Sequence, residues 1–77
     1  MKYIIAVNPI LANGEEKEGT CEKTDNGFEA LMMYSDAVKS AQSHGLLDHE
    51  RIRVELSAWS DDEEIEYSVV MREDVTR

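Results

Sequence analysis

The residues IRVELSAWS at 52–60 and IEYSVVMR at 65–72, with DDEE between them at 61–64, decide the fold. In an extended chain Ile52, Val54, Leu56 and Ala58 fall on one side, and Arg53, Glu55, Ser57 and Trp59 on the other. In the second run Ile65, Tyr67, Val69 and Met71 alternate with Glu66, Ser68, Val70 and Arg72. Two period-two runs joined by a short acidic turn predict an antiparallel hairpin with one shared apolar face. Such a face needs a cover.

Residues 28–44 supply it. At 100° per residue Ala30, Leu31, Tyr34, Ala37, Val38 and Ala41 share one arc, flanked by Phe28, and Glu29, Asp36, Ser40 and Ser43 lie opposite. Asn26, followed three residues later by Glu29, reads as a capping box. Gly45 reads as the left-handed residue that ends the helix, with Leu46 packing back on the last turn. Three alanines on the arc imply close approach to a sheet. Of Met32 and Met33 at its margins, one is expected to fill the edge of the core.

Farther upstream, residues 3–7 (YIIAV) read as a strand apolar on both faces, hence an interior one, ended by Pro9. Placed beside the last strand, it gives a split arrangement. Residues 11–27 hold the turn signals Asn13-Gly14, Gly19 and Asn26-Gly27. They form either an acidic loop or a hairpin whose return, residues 20–23, is a charged edge strand. Residues 73–77 are expected to fray. The expected fold is therefore α+β: one helix on a three- to four-stranded, mostly antiparallel sheet, in the order β-(β)-α-β-β. Residues 1–77 make one domain, which at this length has a thin core.

The chain has 17 acidic and 8 basic residues, a net charge of −9. Direct binding to nucleic acid is disfavoured, since that requires clustered Lys and Arg. Anionic membrane surfaces are disfavoured for the same reason. Basic protein surfaces are favoured. Cys21 is the one cysteine, so no intrachain disulfide forms and a reducing cytoplasm is the expected compartment. The apolar run after Met1-Lys2 is too short for a signal-peptide core or a membrane span.

The charge is unevenly placed. Asp61, Asp62, Glu63, Glu64 and Glu66 carry −5, and residues 15–29, which include Glu15, Glu16 and Glu18, carry −4, so the remainder is neutral. Repelling charges this close do not help folding. They either keep a turn solvated and block edge pairing, or meet Arg and Lys on a partner. Trp59 stands on the polar side of its strand, beside the acidic turn. With Val70 and Ile4 it suggests an apolar patch, to be covered by the chain itself, by the 11–27 segment, or by a partner.

Catalytic and cofactor chemistry finds no motif. His44 and His49, with Asp48 and Glu50, match no zinc spacing, and no metal or cofactor is expected. His44 suits a helix C-terminus. Cys21 lies in the least regular segment, a poor place to preorganise a nucleophile. The chain is expected not to be an enzyme.

The expected function is a small acidic protein that binds the basic surface of a larger partner, such as a nucleic-acid-binding protein, in its sharpest form by mimicking nucleic acid. Phage-encoded inhibitors of restriction or CRISPR machinery share its size, charge and lack of catalytic motifs. The alternative is a regulatory or structural module acting through the Trp59 sheet face, as a homodimer or a complex subunit.

Overall fold

A computed structural model describes residues 1–60 and 67–77, the side chain of Tyr67 aside. It is an α+β fold in the order β-β-α-β-β: β1 (Lys2–Pro9), β2 (Thr20–Thr24), α1 (Gly27–Ser43), β3 (Arg51–Trp59) and β4 (Tyr67–Thr76). The sheet order is β2-β1-β3-β4, and every neighbouring pair is antiparallel. The strand apolar on both faces is thus interior. It pairs with β2 and β3 rather than with the last strand, which takes the far edge.

Register fixes the faces. Tyr3, Ile5 and Val7 lie opposite Ala58, Leu56 and Val54, so these six residues look toward α1. Ile5, Ile52, Val54, Leu56 and Val75 form the buried floor, with Ala30, Tyr34 and Ala41 of α1 above it. Met33, Ala37 and Val38 complete the contact, whereas Phe28 is 76% and Leu31 48% exposed. The buried arc is therefore rotated from the expected one. Met33 fills the core margin, and Leu31 gives way because the small Ala30, Ala37 and Ala41 set how closely the helix approaches.

Several expected details differ. β4 runs on through Glu73, Asp74, Val75 and Thr76, and Val75 is buried opposite Ile52, so this end is held rather than frayed. Between Leu56/Ser57 the register shifts, with Leu56 opposite Met71 and Ser57 opposite Val69, which leaves Val70 as the extra residue of a bulge. The bulge breaks the expected alternation of Tyr67, Val69 and Met71. Met71 stays in register with Leu56 on the helix side, and Val69 falls opposite Ser57 on the other.

The capping box is only half formed. The Asn26 side chain accepts from the Glu29 N–H at 2.9 Å, while the Asn26 N–H turns to Thr24 Oγ1 at 3.2 Å. Gly45 is not left-handed. It opens a 3-10 turn, Gly45–Leu47, close under Ile52: a Cβ there would lie 2.3 Å from Ile52 Cδ1, so a larger residue would push that methyl aside. Leu46 does pack on the core. No described helix is long and apolar enough to cross a membrane.

Candidate functional site

The segment from residue 10 to 19 carries acids in an ordered frame. Ile10 is buried and donates its N–H to the Arg51 carbonyl at 3.0 Å. Beyond it Asn13-Gly14 makes the turn, with Gly14 at φ +89°, a region that suits glycine. Leu11 N–H donates to the Glu15 carbonyl, and Glu15 N–H to the Asn13 side chain. The return is pinned by Lys17 N–H on the Pro9 carbonyl at 2.8 Å and by Gly19 N–H on Asn8 Oδ1 at 2.9 Å. Glu15, Glu16 and Glu18 are all exposed on this frame.

Trp59 lies elsewhere. It sits at the other end of the sheet, opposite Lys2 and Tyr67. The length of β1, roughly 23 Å at the usual rise per residue, separates that end from the Glu15–Glu18 loop. Its indole N–H donates to Ser57 Oγ at 3.0 Å, and Ser57 is buried on the face away from α1. Trp59 is thereby held half-buried by its own strand. The 11–27 segment does not cover it, because β2 pairs on the far side of β1. Ile4 is its neighbour through Ser57, and Val69 takes the place expected for Val70. Asp61, Asp62, Glu63, Glu64 and Glu66 lie outside the described residues.

Between these ends the outer sheet face is neutralised from within. Arg53 grips Asp74 through Nε–Oδ1 at 2.8 Å and Nη2–Oδ2 at 3.1 Å. Two register positions on, Arg72 meets Glu55 Oε1 at 2.6 Å. The hydrogen bond from Arg53, and then its charge, hold the Asp74 carboxyl below the usual aspartate range against the opposing effect of burial. A carboxyl whose folded value is depressed contributes stability above its unfolded value, about pH 4, and loses it as pH falls through the folded value. Asp74→Asn is expected to flatten the acid limb of the stability curve. Urea titrations at a series of pH values check this; parallel acid limbs for variant and parent would show that the pair adds nothing. In the core, Tyr34 has its phenol pushed up by burial and then by the Glu73 charge.

A groove missed by sequence reasoning runs between α1 and β2. It measures about 410 Å³, with Ile5, Val7 and Ile52 below and Met33 and Ala37 along the helix wall. Thr20 and Glu22 of β2 and Asp36 and Ser40 of α1 also line it. Glu22 is there because it pairs with Ile5, which faces the helix. The signal was the polar alternation Thr20, Glu22, Thr24, but its meaning depends on register. A second groove of about 530 Å³ lies between α1 and β4, lined by Leu31, Tyr34, Val38 and Met71 among others. His44 closes the end of α1, and Cys21 is exposed on β2. Among the described residues no group of three or more His, Cys, Asp and Glu is placed to hold a metal ion.

Comparison with protein-family models, with curated proteins and with solved structures finds no match for this chain.

Proposed function

We propose that this chain is a small acidic binding protein that engages the basic surface of a larger protein, a surface of the kind that otherwise holds nucleic acid. The observation that supports it is the β1–β2 loop. Glu15, Glu16 and Glu18 are exposed on a backbone pinned by hydrogen bonds at Asn13, Lys17 and Gly19. Repelling charges held in one geometry have little ordering entropy left to lose on binding. The Arg53–Asp74 and Arg72–Glu55 pairs cancel one charge of each sign and leave the net −9 as it was, and the loop residues Glu15, Glu16, Lys17 and Glu18 carry −2 of it. Acting as a competitor of nucleic acid, in the manner of an inhibitor of restriction or CRISPR machinery, is the specific form of this reading.

The test is capture of host proteins on the immobilised chain in about 0.05 M and about 0.5 M salt, where screening differs severalfold. The retained set is expected to be rich in nucleic-acid-binding proteins and to be released by high salt. It is also expected to be lost with the triple variant E15Q/E16Q/E18Q and recovered poorly in the presence of duplex DNA. Retention that ignores salt and the triple variant, yet vanishes with Trp59→Ala, overturns the proposal in favour of an interaction module acting through the Trp59 face.

A further inference from the structure

We infer that the groove between α1 and β2 is the seat for an arginine side chain of that basic partner, an inference that rests on the reading above. Arginine has an apolar stem and a charged head, and a binding site for it needs both characters in sequence. The groove has them. Its floor is Ile5, Val7 and Ile52, and its rim carries Glu22 from the strand and Asp36 from the helix, with no Lys, Arg or His in the lining. The volume of about 410 Å³ falls within the range of pockets that hold small ligands.

The sequence opens this space in two ways. On the helix side, Ala37, Ala41 and Gly45 stand where larger residues would close it. On the strand side, β2 presents Thr20 and Glu22 where β1 and β3 present Ile, Val and Leu. A guanidinium at a rim that carries two carboxylates makes charge-assisted hydrogen bonds, and the stem beneath lies against Val7, Met33 and Ala37, which the fold leaves only partly buried over the buried Ile5 and Ile52. The groove also lies toward the β1–β2 loop, since Val7 and Thr20 line it and both lead directly into that loop. A basic segment crossing Glu15, Glu16 and Glu18 thus reaches the groove without leaving the surface.

The test uses N-acetyl-arginine amide as probe, titrated into the labelled 77-residue chain and followed by amide chemical shifts. N-acetyl-norleucine amide, which has a stem but no charge, is the control. Saturable shifts are expected at Val7, Glu22, Ala37 and Ala41, at least about tenfold weaker affinity in E22Q/D36N, and no comparable shifts with the control. Both substituted residues are exposed, and circular dichroism verifies that the variant keeps its fold. Equal binding of the norleucine probe, or arginine shifts confined to residues 15–18, overturns the groove. Capture of basic proteins would survive that failure, because it depends on the loop. A groove that seats arginine while capture ignores salt would instead remove the functional reading and leave a cation pocket.

Discussion

Leu56→Ala is expected to lower the unfolding free energy by about 2–5 kcal/mol, the usual range for truncating a buried leucine. Leu56 is 1% exposed at the middle of β3, with Ile5 on one side and Met71 on the other. Among the described residues it and Val54 are the largest side chains that are fully buried. So thin a core has few neighbours that can collapse into the space. Single domains hold only about 5–15 kcal/mol in all, so this change removes a large share. The melting temperature should fall by roughly 8 °C or more, at about 4–8 °C per kcal/mol for a domain of this size. Leu56→Met keeps the volume and should cost less than about 1.5 kcal/mol. Urea and heat unfolding followed by circular dichroism measure both. A loss for Leu56→Ala no larger than that for Leu56→Met would place the core elsewhere.

Gly19→Ala is the second large effect, and it acts on the backbone. A Cβ at Gly19 would lie 2.0 Å from the carbonyl oxygen of Val7 and 3.2 Å from Pro9 Cδ. A strand carbonyl cannot swing aside as a side chain does. The start of β2 must move off β1, and the Gly19 N–H bond to Asn8 goes with it. Overpacking of this kind costs about 1–3 kcal/mol. Gly14→Ala is the control: nothing lies within 4 Å of its Cβ, and only the φ of +89° penalises it, by about 1–2 kcal/mol. The two differ in where the damage appears. Gly19→Ala should expose the amides of β2 to hydrogen exchange and weaken partner capture by loosening the loop that holds Glu15, Glu16 and Glu18. Unchanged exchange in β2 would mean that the close approach at Val7 is absent.

The elements with strong periodicity were legible before any coordinates. The helix, the β3–β4 hairpin and the interior character of β1 follow from where Ile, Val, Leu and Ala recur. Features that depend on pairing were not. The bulge at Val70 has no local marker, because Val69 and Val70 suit either face equally well. Gly45 looks like a helix terminator, yet it opens a 3-10 turn against the Cδ1 of Ile52, a contact that no spacing rule reveals. The strand at residues 73–76 looks like a polar tail because Glu73 and Asp74 mask the single buried Val75. The candidate site divides in the same way. Exposure of Glu15, Glu16 and Glu18 follows from charge alone. That Glu22 lines the same groove as Asp36 needed the β1–β2 register, and the distance between Trp59 and the loop acids needed the strand order.

The order β2-β1-β3-β4 also has a consequence for how the chain is made. The central pair joins Ile5 to Leu56, positions about fifty residues apart, so it depends on closing a long loop. During synthesis β1 leaves the ribosome before β3, apolar on both faces, and this principal neighbour follows only after β2 and the helix have emerged. Until then the short, charged β2 is its sheet neighbour, and α1, once made, can cover one of its faces. The nascent chain therefore passes through an interval in which its stickiest segment is half-sheltered, and the speed of translation through the helix sets how long that interval lasts.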